Sequence, residues 1–263
     1  MSRLIIDDFN WQDICDPTDG RCQTIARDYD KVPYGAIPVA PPGGVKIIPM
    51  EEWPDRIADK ARNKDTLKDI WADTPIGVWD QGSVGYCHAF SAVMLVAIER
   101  ALQGLPYVPL SASSVGGPVT GWRNAGAYIH DDLDRIVKYG ASTIEFVPML
   151  TTNRNDAKPG WEANALLHRV TEFTDVRPRN VLEHGSLLLQ NHPVGVGLNY
   201  WGHAVTDLVL HDLYPQKRAT DWTRYGVEFL NSWRKTWGDG GFGIRTGNKF
   251  LADAIYALLQ VIV

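Results

Sequence analysis

The stretch WDQGSVGYCHAFSAV, Trp79 to Val93, decides how this chain folds. A loop carrying Gly82 and Gly85 runs into the apolar run AFSAVMLVAIERAL, Ala89 to Leu102. Phe90, Val93, Leu95, Val96, Ile98 and Leu102 cover much of the girth of a helix, which predicts a largely buried one. Gly104 stands just past its end, where a helix stop belongs. Cys87 sits at the junction of loop and helix. A lone cysteine there is ordinarily a small buried hydrophobe. Three features set this one apart. The N-terminus of a buried helix presents unpaired N–H groups and the positive end of its dipole, which favours a thiolate. The loop glycines let another backbone come close, and Gln81 adds an amide donor, as an oxyanion hole requires. A nucleophilic thiol also needs a base, and the base a group to orient it, both from distant sequence.

The chain has seven histidines. His88 adjoins Cys87 but projects about 100° away on a helix, so it is badly placed to take the thiol proton. His130, beside Asp131 and Asp132, reads as part of a solvated helix face. His168, His184, His192 and His211 carry no motif. His203 opens the apolar strand HAV after Trp201 and Gly202 and is the best-placed base. Asn231 ends the run VEFL ahead of Ser232 and Trp233; its amide is suited to orient an imidazole, and the indole to shield their bond.

The remaining sequence bounds the answer. At 263 residues, with 44% apolar residues, the chain suits one large domain or two lobes sharing a core. A net charge of -5 argues against nucleic acid as a partner. Ten tryptophans read chiefly as core and lobe packing. No signal peptide and no membrane span is expected, which places the protein in an intracellular or particle-associated setting. Cys15 and Cys22 flank the turn-former DPTDGR and read as free thiols, or as a small loop if oxidised. No cluster has metal-ligand spacing, so neither metal nor cofactor is expected.

Residues 1–45, with DYDKVPYGAIPVAPPGG, read as an extended Pro/Gly-rich arm. Helices are expected within EEWPDRIADKARNKDTLKDIWAD and over about Ala125 to Tyr139. Short strands are expected in Pro193 to Trp201, His203 to Leu213, Tyr225 to Trp233 and Gly240 to Thr246, and a helix or strand in the C-terminal FLADAIYALLQVIV. A helical first half and a strand-rich second half predict an α+β fold, a helical lobe at about 46–150 and a β-rich lobe at about 151–263, with a cleft between them.

DQGSVGYCHAFSAV resembles the cysteine motif NQGSCGSCWAFSAV of the papain-like cysteine peptidases. NHPVGVGLN resembles the strand before that family's histidine, WGHAVTDLVL its histidine strand, and FLNSWRKTWGDGGFGIR its KNSWGTGWGENGYIRI. Cys, His and Asn occur in the family's order, with Cys87 and Asn231 144 positions apart. RNAGAY resembles the family's CNGG groove segment, YGAS with EFVP the segment after that groove, and MEEWPDRI the start of the mature domain, so the likeness spans about residues 46 to 250. It implies a papain-like two-lobe fold with Cys87 as nucleophile, His203 as general base and acid, Asn231 as its orienter, and Gln81 with the Cys87 N–H as oxyanion hole. Gly85, Asn124, Ala125, Gly126, Gly202 and Trp233 would line or cover the substrate site.

Some residues depart from that pattern. Val84 and Arg123 stand where the family has a disulfide pair, which points to a reducing setting. Tyr86 and His88 flank the nucleophile; Tyr86 is expected to narrow the cleft and His88 to add charge beside it. The segment before His203 is short, and DLYPQKRATDWTR forms an added loop. The arm is shorter than the usual propeptide and is expected to lie in the cleft or to dock the chain into a larger assembly. The leading expectation is thiol-dependent cleavage of a peptide or protein substrate. The alternatives are a structural or assembly protein on the same scaffold, and cell-wall peptide cleavage or transamidation.

Overall fold

The computed structural model describes residues 3–30 and 46–261, with side chains through residue 258. In chain order, strand β1 (Ile5–Ile6) and helix α1 (Trp11–Ile14) precede α2 (Trp53–Asn63), α3 (Leu67–Ala72), α4 (Cys87–Leu102), α5 (Ser113–Thr120) and α6 (Ile129–Tyr139). Then follow α7 (Trp161–Ala165), β2 (Val170–Val176), α8 (Val181–Leu189), β3 (Val194–Leu198), β4 (His203–Asp212), β5 (Tyr225–Leu230), β6 (Phe242–Thr246) and β7 (Ala254–Val261). The strands form one seven-stranded sheet in the order β1-β6-β5-β4-β3-β7-β2. Every pairing is antiparallel except β1 on β6. The fold is α+β.

Helix α4 is the spine. Its first twelve residues, Cys87 to Ile98, are all buried, as an apolar girth requires. One side (Ala89, Phe90, Ala92, Val93, Leu95, Val96) joins a core built with α5 and α6. The other (Met94, Ala97, Ile98) joins the core of the sheet, α2 and α8. The helix ends where Gly104 takes φ +68°. Gly195 on β3 brings the sheet close, since a Cβ there would crowd Leu95 and the Ser91 hydroxyl. The polar segment before α4 breaks at Lys64, in the left-handed region. It restarts at Thr66, whose hydroxyl and the Asp69 carboxylate form a capping box worth about 1 kcal/mol.

Three expectations are amended. The expected arm is not uniformly extended over its described part: α1 packs Trp11 edge-on against Tyr200 at 5.6 Å, and Ile5–Ile6 add a strand to the sheet edge. Most of DYDKVPYGAIPVAPPGG lies outside the described residues. The helix expected from Ala125 begins at Ile129: residues 125–128 have no regular secondary structure, and Tyr128 is extended (φ -84°, ψ 141°). The second half also contains α7 and α8; Gly185 within α8 makes room for the Trp53 ring. The C-terminal apolar run is strand β7.

Candidate active site

Cys87 opens α4 and is fully buried. His203 opens β4, and Asn231 follows directly on β5, paired beside it in the sheet. The two strands bring the side chains together: His203 Nε2 donates to Asn231 Oδ1 at 2.8 Å. That oxygen also accepts from the Ser232 N–H at 2.8 Å, which fixes the amide's orientation. The remaining imidazole nitrogen, Nδ1, has no hydrogen bond among the described residues. Trp233 lies 4.7 Å from the imidazole and Trp201 4.9 Å from it, centroid to centroid, so the His–Asn bond is walled off from water. The indoles also touch each other at 5.4 Å.

Gln81 is locked by its neighbours. Its Oε1 accepts from Ser232 Oγ at 2.5 Å and from Trp233 Nε1 at 3.2 Å, which turns its Nε2 toward the cleft. Gly85 donates its N–H to Asn124 Oδ1 at 2.7 Å, tying the loop to the groove segment. Asn124, Ala125 and Gly126 follow in the connection between α5 and α6, without regular secondary structure. The structure therefore gathers the predicted residues from the head of α4, the strands β4 and β5, and the two loops that flank them.

What fills the space between them is the N-terminal segment. Gln81 Nε2 donates to the Arg21 carbonyl at 3.1 Å as well as to Val84 O at 2.8 Å. The Thr24 hydroxyl sits 3.1 Å from Cys87 Sγ. Thr24 N–H donates to the Gly202 carbonyl at 3.0 Å, and Ile25 N–H to the Ala127 carbonyl at 3.2 Å. A Cβ at Gly126 would overlap the Gln23 carbonyl. The Arg21 guanidinium, paired with Asp19, lies 3.9 Å over Trp233. Cys22 lies beside His203: burial pushes its thiol up, and the neighbouring imidazole draws it partly back. Cys15, also free, is buried at the C-terminal end of α1, and burial pushes its thiol up to about 12.

Of the two residues that flank Cys87, Tyr86 departs from expectation and His88 does so only in its partner. Tyr86 does not narrow the cleft. It is fully buried toward α5, where its hydroxyl donates to the Arg123 carbonyl at 3.0 Å. His88 forms a pair with Asp132 at 2.6 Å, both fully buried, and its charge interacts with the adjacent Cys87 thiol as well. Asp132 is thus not on a solvated face. Its spacing showed this: Ile129, Asp132, Leu133 and Ile136 are the buried residues of α6, one helical stripe. The carboxylate holds His88 above its ordinary range against the opposing effect of burial. A second buried cluster, Arg245 on Asp207 at 2.5 Å with His184 at 3.0 Å, ties β6, β4 and α8 together behind the histidine strand. Among the described residues no group of histidine, cysteine and carboxylate side chains could hold a metal ion. No described helix is long and apolar enough to cross a membrane.

The fold is that of the papain-like cysteine proteases. Bromelain from Ananas comosus, solved with the E64 inhibitor, superposes with a TM-score of 0.58 at 19% identity, over 74% of this chain and 98% of its own. Xylellain, a cysteine protease from Xylella fastidiosa, gives 0.57 at 17% identity, over 71% and 84%. Procathepsin L 3 of the Tenebrio molitor larval midgut gives 0.57 at 18% identity, over 70% of this chain and 66% of its own. No protein-family model and no curated protein matches the sequence.

Proposed function

We propose that this chain is a thiol peptidase held latent by its own N-terminal segment. The observation that carries the reading is the convergence of a buried thiol at a helix head, a His–Asn pair and an amide donor, with a peptide segment lying across all of them. In the open site Cys87 attacks a peptide carbonyl, and Gln81 Nε2 with the Cys87 N–H stabilises the oxyanion. His203, with Nδ1 free and Nε2 fixed by Asn231, takes the thiol proton and returns it to the leaving amine. Water then hydrolyses the thioester, with His203 as base. Asn231 is neutral, so it orients the imidazole without fixing a charge on it. The substrate is a peptide or protein, and no cofactor is needed.

The segment occupies the site without presenting a cleavable bond. The thiol faces the hydroxyl of Thr24, while the amide donor is taken by the carbonyl of Arg21, three residues away. Nucleophile and oxyanion donor therefore engage different residues, and no single carbonyl is held by both. Cys22 beside His203 adds a competing thiol at the base.

The test is site-resolved alkylation with a papain-type epoxide. The native chain is compared with one cut, after folding, at a sequence-specific protease site inserted between residues 31 and 45. The expected result is slow labelling of Cys87 in the intact chain, at least tenfold faster labelling after the cut, and loss of it in His203→Ala. A Cys87 that stays inert in the cut chain overturns the reading. It would favour the second one, an assembly protein on this scaffold that docks through the same segment, whose support is the filled cleft itself.

A further inference from the structure

Beside the cleft lies a cavity of about 530 Å³. Tyr128 and Asp131 at the head of α6, Asp175 on β2, Gly197 on β3 and Tyr256 on β7 line it, and residues 24–28 of the N-terminal segment close it. It is continuous with the catalytic centre, since Thr24 both lines it and touches the Cys87 sulfur. Gly197 holds it open: a side chain there would begin in contact with Ala254, Thr24 and Ile129.

We propose that this cavity is a recognition pocket for a basic side chain, so that the site's substrates are peptides carrying arginine or lysine at the residue that enters it. The proposal rests on the thiol-peptidase reading above and adds its substrate class.

Three carboxylates line the pocket: Asp28, which belongs to the closing segment and is partnered, and Asp131 and Asp175, neither of which has an ion pair or side-chain hydrogen bond among the described residues. Tyr256 on the wall is only 6% exposed, and its hydroxyl likewise has no hydrogen-bond partner among the described residues. Tyr256 is buried in the wall while Asp131 and Asp175 are exposed at the rim, so the cavity presents a hydroxyl and two carboxylate acceptors to a donor that enters it. The chain supplies such a donor itself. Arg27 lines the cavity, and its guanidinium Nε is buried without a partner. Desolvation lifts the Asp175 carboxyl above its ordinary range, and the charges of Arg27 and His130 draw it back. His130 is the other cationic group on the wall, and when protonated it opposes a basic guest.

The backbone at this position is read as well. Arg27 N–H donates to Asn199 Oδ1 at 2.9 Å, and its carbonyl accepts from Asn199 Nδ2 at 3.1 Å. The side-chain amide thus takes both backbone groups of one extended residue, as a neighbouring strand would. A guest residue can use the same pair while its side chain enters the pocket. Guanidinium or ammonium donors then meet Asp131, Asp175 and the Tyr256 hydroxyl.

The test uses the folded chain cut between residues 31 and 45, and a set of peptidyl epoxides. These are identical except for Arg, Leu or Glu placed in turn at each of three residues before the warhead. At one position the Arg probe is expected to label Cys87 at least tenfold faster than the Leu and Glu probes. In the doubly substituted Asp131→Asn, Asp175→Asn chain that preference falls below about twofold, while iodoacetamide still labels Cys87 at the parent rate. A Leu probe as fast as Arg at every position, or a preference that survives the double substitution, overturns the pocket and leaves the peptidase reading standing. If no reagent labels Cys87, the peptidase reading fails. The pocket is then judged by equilibrium binding of N-acetyl-arginine amide to the Arg27→Ala chain, where affinity no better than for N-acetyl-leucine amide overturns it.

Discussion

Two fully buried histidines, His88 at the head of α4 and His203 at the head of β4, could hardly be treated more differently. His88, one residue after the thiol, turns into the helical side and meets the Asp132 carboxylate. His203 arrives from the sheet and meets the Asn231 amide. Both are fully buried and both have one fixed nitrogen. A carboxylate stabilises the protonated ring and so keeps its proton in place; a neutral amide fixes the ring while leaving its charge free to change. The first arrangement is a strut and the second is suited to proton transfer. In the proposed mechanism, adjacency to Cys87 in sequence is therefore a poor guide to the base, and the partner's charge is a better one.

The sharpest way to break this comparison is to remove each ring in turn. His203→Ala should lower the peptidase rate of the opened enzyme by about 10⁴-fold with little change in melting temperature. His88→Ala should do the reverse, lowering stability more than the rate per folded molecule. Parallel kinetic and thermal measurements on the two variants decide it. Next in size is Asp132→Asn, which leaves a buried histidine without its counter-charge and should cost about 3–5 kcal/mol in denaturant unfolding. The sign with pH is set by the raised value of His88. Its stabilising contribution is full below the unfolded histidine value of about 6.5 and is lost as pH rises through the folded one. The parent should therefore lose stability on the alkaline side, and the variant should lack that decline.

Asn231→Asp turns the second histidine into a copy of the first. The pH limb that reports deprotonation of His203 should move up by about 1–3 pH units, read from the pH dependence of Cys87 alkylation in the cut chain. An unmoved limb would mean that the partner's charge is not what separates the two sites. The smallest effect concerns His168, a third buried histidine, which has neither kind of partner. Burial and the Arg100 charge hold it down at about 4. Because the folded value lies below the unfolded one, this group costs stability as pH falls from about 6.5 toward 4, by at most about 3 kcal/mol. His168→Gln should flatten that acid limb in unfolding curves measured between pH 4 and 7.

Helix α4 and strands β3 to β6 were legible in the sequence, because each carries a local signature of apolar girth or alternation; Gln81, Cys87, His203 and Asn231, on which the proposed function rests, were singled out by motifs around reactive side chains. What was not legible depends on backbone or on distant partners. The contacts of residues 21–25 in the cleft are largely carbonyls and N–H groups, which have no residue-type signal. Helix α8 has a histidine and a glycine at its centre because of the Trp53 ring and the Asp207 cluster, neither of them near it in sequence. The His88–Asp132 pair lay between these cases. The helical stripe on α6 placed Asp132 inward, but the neighbouring His130 and Asp131 made the segment read as wholly polar.

The strand Ile5–Ile6 pairs with Ile244 and Arg245. A ribosome making this protein therefore produces the second half of that pairing long after the first. At roughly 5–20 residues per second the interval is on the order of 10–50 s. For all of that time the nascent segment lacks its edge-strand anchor, and the cleft it will fill is still incomplete. Closure of the site and completion of the sheet fall in the same moments of synthesis, so the chain passes through little or no period in which a finished cleft stands open inside the cell that makes it.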